Sequence, residues 1–360
     1  MTNPGSQIQI GKRTLKNRIT MAPTVKFYAG EDGIATEEFA NHYEERAKGG
    51  CGLIVVEATA VTPDGRLSPS QLGLWCDEQI EGHARIAAAV HKHGALVIPQ
   101  LSHAGVGTFP TCGPASAPSK MIWNNGFREV ETTELSVTDI MKIEKQFIEA
   151  ALRAKEAGYD GIQLHACHAY LINDFASPIN KRTDMYGGSA KNCARFGSEI
   201  IAGIRAACGE KFIISARISG CDPTPIDAFT VAEEYVAAGC DYLQVSCGIA
   251  EFKDIPRDES EPYNAIANLG VRFHEHFKGR VPVSTVNGLR TVEAVKYMFD
   301  NDLVDTVDLG CGVLADPAFA EAILSGTPYV KCFGCPECGF GPRHAHPCPA
   351  YKKRGVEARF

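Results

Sequence analysis

Hydrophobic positions along the chain form two alternating patterns: short apolar runs of strand length and longer amphipathic stretches of helix length. The apolar runs predict eight strands, at Arg18–Met21, Leu53–Glu57, Leu96–Gln100, Gly161–His165, Phe212–Arg217, Tyr242–Ser246, Val281–Thr285 and Thr306–Leu309. Because strands and helices alternate as far as about residue 325, the pattern is typical of a parallel α/β sheet.

Helical periodicity fills the connections between these strands. One apolar stripe runs from Ile140 through Phe147 to Ala154 and ends at Gly158, with Ser136 or Thr138 as the expected N-cap. Further helices are predicted at Thr36–Lys48, Asp77–His93, Lys191–Cys208, Thr230–Ala238 and Thr291–Asn301.

Eight strand–helix units fit either a closed barrel or a doubly wound open sheet. Polar side chains follow the strand ends around the whole repeat, and an open sheet needs such groups only at one crevice. We therefore predict a (β/α)8 TIM barrel over residues 1–330, with a long excursion at Leu101–Leu135 between the third strand and the third helix. A short cysteine-rich tail is predicted over residues 331–360.

Composition narrows the class of protein. The chain has 36 Lys+Arg and 43 Asp+Glu, a net charge of -7, and no basic block, so a nucleic-acid partner is not expected. Neither a signal segment nor an apolar run long enough to span a membrane is evident. Most of the 14 cysteines lie singly in apolar runs, which is typical of reduced thiols in the cytoplasm.

The densest chemistry lies at the end of the fourth predicted strand. His165, His168 and Tyr170 place two imidazoles and a phenol within six residues, where burying an unpaired polar group is costly. A zinc site would need a third ligand of suitable spacing and a nearby Glu base, which this segment lacks. The pattern favours two neutral donors for a substrate oxygen and a phenolic proton donor.

Several further motifs accompany this segment. They are Lys16-Asn17-Arg18, Ala22-Pro23, Glu57-Ala58-Thr59, Gln100 with His103-Ala104-Gly105, Ser177-Pro178, Asp184-x-Tyr186-Gly187-Gly188 and Arg217. In combination, over about residues 10–325, the sequence resembles the Old Yellow Enzyme family of FMN-dependent ene-reductases, which are TIM barrels. The resemblance implies FMN as cofactor and NAD(P)H as electron donor.

The resemblance also implies residue roles. His165 and His168 match the pair that binds the substrate oxygen, and Tyr170 matches the proton donor. Arg217 matches the cation beside N1 and O2 of the flavin. The other implied cofactor residues contact the isoalloxazine ring or form the phosphate loops after strands seven and eight: Ala22, Pro23, Thr24, Val25, Ala58, Gln100, Asn287, Gly288, Gly310, Cys311 and Gly312.

Two positions depart from the family pattern. Cys311 stands where relatives usually carry an arginine that grips the FMN phosphate, so a charge-assisted contact is missing. Val25 stands where relatives often carry Cys or Thr near the flavin O4 and N5 edge, and a valine cannot donate a hydrogen bond there. We expect FMN binding to be weakened by the first change but retained.

The tail contains Cys332-x2-Cys335-x2-Cys338-x9-Cys348, with His344 and His346 as alternative ligands. Four thiolates at this spacing suit a 4Fe–4S cluster or a tetrahedral zinc ion. The motif is similar to the cluster motif of the 2,4-dienoyl-CoA reductase branch, although its spacing differs. The sequence leaves open an iron–sulfur cluster, a zinc ion or no metal.

The implied reaction transfers hydride from reduced FMN to Cβ of an α,β-unsaturated carbonyl compound, and Tyr170 protonates Cα. Two alternatives stay open: an amine-oxidising or demethylating flavoenzyme of the same fold, and a barrel without flavin chemistry that serves as a binding or partner subunit. An electron-donor protein and a homo-oligomer are further possibilities that the sequence does not decide.

Overall fold

A computed structural model describes residues 2–124, 129–224, 227–249, 261–336, 338 and 348–353. His344 and His346, the alternative metal ligands of the tail, lie outside the described residues.

Eight parallel strands form a closed barrel in chain order. They are β1 (Ile19–Met21), β2 (Leu53–Ala60), β3 (Leu96–Ser102), β4 (Gly161–Ala166), β5 (Ile213–Ser219), β6 (Tyr242–Ser246), β7 (Val283–Val286) and β8 (Thr306–Leu309). The ring closes through pairing of β8 with β1. The predicted (β/α)8 barrel is confirmed, and each predicted strand corresponds to one barrel strand.

Helices surround the barrel and follow its strands. They are α1 (Glu37–Lys48), α2 (Ile80–His91), α3 (Val137–Glu156), α4 (Leu171–Phe175), α5 (Ala190–Cys208), α6 (Asp227–Ala237), α7 (Ala265–Phe277), α8 (Val292–Asp300), α9 (Cys311–Ala315), α10 (Phe319–Ser325) and α11 (Pro349–Lys353). Within the described residues, no helix is both long and apolar enough to cross a bilayer.

The helix boundaries agree with some of the sequence signals and differ from others. Ser136 is the N-cap of α3, because its hydroxyl accepts a hydrogen bond from the backbone N–H of Asp139. The helix predicted from Asp77 begins with a 3-10 turn and becomes α-helical only at Ile80. Helix α7 was not predicted, although Ile266, Leu269, Phe273 and Phe277 recur at helical spacing and are buried.

A short hairpin closes the N-terminal end of the barrel. Its strands, Ile8–Ile10 and Arg13–Leu15, pair antiparallel. Ile10 and Leu15 pack against inward-facing apolar residues of the barrel: Leu53, Val55, Ile98, Ile213 and Tyr242. Apolar packing therefore seals this end, and the carboxyl ends of the strands are left for a ligand site.

Towards the carboxyl ends of the strands, the interior of the barrel is polar. Gln100 donates a hydrogen bond from Nε2 to Oε1 of Gln163 at 2.7 Å, and Gln163 donates to Gln244. Gln244 in turn donates to Oδ1 of Asp308 at 2.7 Å, while the Ser284 hydroxyl donates to Oδ2 at 2.6 Å. This chain of bonds satisfies five buried polar side chains and fixes their orientation.

The described part of the tail packs back onto the barrel. Cys348, Ala350 and Tyr351 form an apolar cluster with Ala315 at the end of α9, and Cys332 packs against it. The Tyr351 hydroxyl hydrogen-bonds to the carboxylate of Glu45 in α1. The boundary near residue 330 between barrel and tail stays a prediction.

Close packing behind α1 generates a stability prediction. A Cβ on Gly49 would lie 1.8 Å from the backbone oxygen of Pro317, so one of the two backbones must move. We expect Gly49→Ala to lower the free energy of unfolding by about 1–3 kcal/mol, the usual cost of overpacking. The control is Gly107→Ala, where the added Cβ would meet only Leu67, at 3.8 Å. Equal thermal stability of the two variants would contradict this packing.

Candidate active site

A cavity of about 320 Å³ opens at the carboxyl ends of the barrel strands. Its volume falls within the range of small-molecule and cofactor pockets, ~300–1,000 Å³. The lining residues come from the ends of β1, β4, β5, β6, β7 and β8 and the segments after them: Ala22, Pro23, Thr24, His168, Arg217, Ser246, Cys247, Ile266, Val286, Asn287, Gly288, Leu289, Arg290, Asp308, Gly310 and Cys311.

The two predicted histidines contact each other at the end of β4. Nε2 of His165 lies 3.1 Å from Nδ1 of His168, and Nε2 of His168 lies 2.8 Å from the hydroxyl of Ser246. The rings of His165 and Tyr170 overlap, with their centroids 3.9 Å apart. The structure therefore brings both imidazoles and the phenol into one group. Of these three residues, His168 is the one that lines the cavity.

The backbone at this group adopts an unusual conformation. His168 and Ala169 both have positive φ values, 62° and 56°, a region that non-glycine residues rarely occupy. The Ala169 N–H donates to the side chain of Asn173 at 2.9 Å, and the His168 N–H donates to the carbonyl of Cys247 at 3.3 Å. Such strain persists where surrounding contacts impose it, and it clusters at functional sites.

Electrostatics keep these groups uncharged. Burial, together with the charge of Arg217, lowers the pKa of His168 to about 3. Burial also holds the pKa of His165 well below its ordinary value, and neighbouring His168 and Arg217 lower it further. Burial raises the pKa of the Tyr170 hydroxyl. At neutral pH the site therefore presents two neutral imidazoles and a protonated phenol, all able to donate hydrogen bonds.

Arg217 supplies a buried positive charge. It lies on β5 with 8% of its surface exposed, and no acidic side chain among the described residues forms an ion pair with it. Asp308 also lines the cavity. Burial raises the pKa of Asp308 to about 6, although hydrogen bonds from Ser284 and Thr20 and the charge of Arg217 oppose the rise. A buried arginine that forms no ion pair is costly, and an anionic group of a ligand would lower that cost.

The loops after β7 and β8 form the other end of the cavity. Asn287 and Gly288 are successive left-handed residues, with φ values of 80° and 76°. A Cβ on Gly310 would meet nothing within 4 Å, so its backbone borders open space. A Cβ on Gly312 would instead lie 2.4 Å from the ring of Phe319, so this glycine serves close packing of α9 on α10.

The structure divides the predicted site residues into two groups. Nine line the cavity: Ala22, Pro23, Thr24, His168, Arg217, Asn287, Gly288, Gly310 and Cys311. Six do not line it: Val25, Ala58, Gln100, Gly312, His165 and Tyr170. Gln100 is almost fully buried and uses its amide in the interior hydrogen-bond chain. The individual roles of all these residues stay predictions.

Sequence reasoning missed two charged residues of the cavity, Asp308 and Arg290. Asp308 is a carboxylate within an apolar strand, a signal that the strand pattern already contained. Arg290 lies two residues after Gly288, in a loop whose path no periodicity shows. Neither position belongs to the motifs that the resemblance singled out.

The tail cysteines approach α9 rather than standing apart from the barrel. Sγ of Cys338 lies 3.9 Å from Sγ of Cys311. Burial and the neighbouring thiols of Cys311, Cys332 and Cys348 raise the pKa of Cys338 to about 12. Within the described chain, no hydrogen bond links Cys335 to another thiol. Three of the four predicted metal ligands therefore gather near Cys311.

A second group of potential metal ligands comprises His165, Cys167 and His168, whose ligand atoms lie within 4.8 Å of one another. Burial strongly raises the pKa of the Cys167 thiol, so the thiolate that a metal requires is disfavoured. The imidazoles of this group are better suited to donate hydrogen bonds.

Comparison with known proteins places this arrangement in a family. The sequence profile of the NADH:flavin oxidoreductase / NADH oxidase family matches residues 6–329. An NADPH dehydrogenase of Bacillus subtilis (strain 168) is 35% identical over 323 residues, 87% of this chain and 92% of that protein. An NADH oxidase of Thermoanaerobacter brockii is 35% identical over 344 residues, which cover 92% of this chain. The present chain spans only 52% of that longer relative.

A solved structure agrees with these sequence matches. The Old Yellow Enzyme homologue from Zymomonas mobilis superposes with a TM-score of 0.77 and 26% identity, covering 91% of this chain and 94% of that one. The family match extends over nearly the whole barrel and confirms the resemblance that the motifs indicated. The chain therefore belongs to the NADH:flavin oxidoreductase / NADH oxidase family, to which Old Yellow Enzyme homologues also belong.

Proposed function

We propose that this protein is an FMN-dependent ene-reductase that acts on an α,β-unsaturated carbonyl compound. The observation that carries the proposal is the pair of neutral imidazoles, His165 and His168, whose ring nitrogens lie 3.1 Å apart beside the cavity. Two donors this close can both turn to one oxygen atom. The family membership supports flavin and nicotinamide chemistry in general.

The residues of the cavity fit FMN. Arg217 is a buried cation without an acidic partner among the described residues, and it suits the flavin edge where negative charge develops on reduction. The open space beside Gly310 lies after β8, where TIM barrels commonly bind phosphate. Pro23 and Thr24 supply a wall at the end of β1.

When bound, FMN would supply hydride chemistry, taking two electrons from a nicotinamide and passing a hydride to the substrate alkene. His165 and His168 would hold the carbonyl oxygen and stabilise the negative charge that develops there. Hydrogen bonds that strengthen as charge develops lower the barrier selectively. The low pKa values of both histidines keep them in the neutral form.

Tyr170 would donate the proton to Cα. Its ring overlaps that of His165, so the hydroxyl belongs to the same group as the two oxygen-binding donors. Its raised pKa keeps the proton on the phenol until a stronger base, the carbanion-like Cα, takes it up.

We also propose that Cys332, Cys335, Cys338 and Cys348 hold a 4Fe–4S cluster. The gathering of Cys332, Cys338 and Cys348 against α9 supports this, and Cys335 would be the fourth ligand. Because Cys311 lines the cavity and contacts Cys338, a cluster here would lie close to the cofactor pocket. An electron-donor protein, a homo-oligomer and a cytoplasmic location stay predictions.

The neutral histidines generate a pH prediction. A pKa lowered to about 3 leaves His168 neutral above about pH 5, and its charged form appears only as the pH falls towards 3. The ring signals of His168 in NMR spectra, assigned by their loss in His168→Asn, should therefore not titrate between pH 5 and 8. A titration near the ordinary histidine pKa of ~6.5 would contradict the buried, neutral pair.

Replacement of Tyr170 by Phe tests the proton donor. The variant should be reduced by NAD(P)H at the rate of the parent protein, but its reoxidation by a simple enone should slow ~10²–10⁴-fold, the usual contribution of a general acid. Stopped-flow absorbance measures both rates separately. The control is Tyr186→Phe, which removes a hydroxyl bonded to Glu199, and neither of these residues lines the cavity. Equal reoxidation of Tyr170→Phe and the control would assign the proton to another donor.

Metal analysis tests the tail. Protein purified without oxygen should contain about four irons and four acid-labile sulfides per chain. Cys338→Ser should lose most of this iron, while Cys112→Ser, outside the tail, should retain it. One zinc per chain would replace the cluster by a structural zinc site, and no metal in the anaerobic protein would remove the proposal for the tail.

A further inference from the structure

Arg290 lines the cavity in the loop between β7 and α8. The same end of the cavity is lined by Gly288, Gly310 and Cys311. Loops after the seventh and eighth strands are the usual place of phosphate sites in barrels of this kind. This end lacks the arginine that the family resemblance would predict, because position 311 is a cysteine.

The thiol of Cys311 contacts a cysteine of the tail. Sγ of Cys311 contacts Sγ of Cys338 in the tail at 3.9 Å. A neutral thiol cannot supply the charge-assisted hydrogen bonds that hold a phosphate dianion. Whatever binds a phosphate here must therefore come from another residue of the same end of the cavity.

The guanidinium of Arg290 is available for this role. Arg182, Arg205 and Arg280 form ion pairs with nearby carboxylates, whereas Arg290 forms none with any described residue. Its backbone N–H donates to the carbonyl of Gly288 at 2.9 Å, which ties the residue to the glycine turn.

The tail restricts where this guanidinium can lie. A Cβ on Gly334 would stand 3.1 Å from Nη1 of Arg290, so the tail backbone packs directly against the arginine head group. Contact with the tail on one side and with the cavity on another limits the freedom of a long side chain. Less rotamer entropy is then lost when an anion binds.

The second cavity arginine does not compete for this role. Arg217 projects from β5, and its charge acts on Asp308 and on the histidine pair. The cavity thus carries one cation at the strand end occupied by the histidines and another at the loops after β7 and β8. A ligand with a flavin ring and a terminal phosphate could use both cations, one at each of these two places.

We propose that Arg290 is the cation that binds the phosphate of FMN in this protein, in place of the arginine absent at position 311. This inference rests on the proposed flavin function. It assigns a cofactor-binding role to a residue outside the family motifs and explains how Cys311 can face the tail without loss of phosphate binding.

Comparison of FMN with riboflavin, which has no phosphate, isolates this contact. The full chain freed of flavin is titrated with each compound and binding is followed by flavin fluorescence. We expect the parent protein to prefer FMN, and Arg290→Ala to weaken FMN binding about tenfold to hundredfold with riboflavin binding unchanged. Arg290→Lys should retain part of the preference. The control is Arg272→Ala on α7, which should change neither affinity, because the Arg272 guanidinium lies over the ring of Phe229 on α6.

These outcomes distinguish failure of the Arg290 assignment from failure of the proposed flavin function. Equal weakening of FMN and riboflavin in Arg290→Ala would show a merely structural role and overturn the inference, as would unchanged binding of both. If the parent protein bound FMN and riboflavin with equal affinity, the inference about Arg290 would also be overturned, but the proposed flavin binding would be retained. Failure of the parent protein to bind either compound would remove the proposed function itself. Recovery of the FMN preference in Arg290→Ala/Cys311→Arg would support a purely electrostatic contact.

Discussion

Closure of the barrel between β8 and β1 is the constraint on which the site depends. The pairing sets Asp308 beside Thr20 in register, and the Thr20 hydroxyl donates to the Asp308 carboxylate across this seam. Because all eight strands run parallel, closure brings every carboxyl end to the same mouth. Residues as distant in the chain as Pro23 and Gly310 thereby line one cavity.

Buried charge is organised around that mouth without being fully neutralised. The interior hydrogen-bond chain from Gln100 to Asp308 is satisfied, whereas Arg217 forms no ion pair within the described residues, although its charge acts on Asp308. Nδ1 of His165 is likewise buried without a hydrogen bond. Buried groups without partners are costly, so a ligand that completes these two would offset that cost.

The tail contacts two residues of the cavity wall. Cys311 contacts Cys338, and Arg290 packs against the backbone of Gly334. A structural change in the tail would therefore act directly on residues of the cavity wall. The proximity also gives a physical reason why a thiol can occupy position 311, since it faces a cluster of other thiols.

The sequence alone predicted the fold and the His165–Tyr170 segment that the structure gathers at the end of β4. Strand-length apolar runs, the polar residues after them and the His165–Tyr170 segment predict the barrel and its mouth, because hydrophobic periodicity and strand ends are local features. The motif did not predict that Gln100 lies in the barrel interior. There its amide donates a hydrogen bond to Gln163 on the neighbouring strand. Which charges share the cavity with the histidines was decided only by the tertiary structure. Asp308 and Arg290 reach it through barrel closure and loop path, which depend on contacts between residues far apart in the chain.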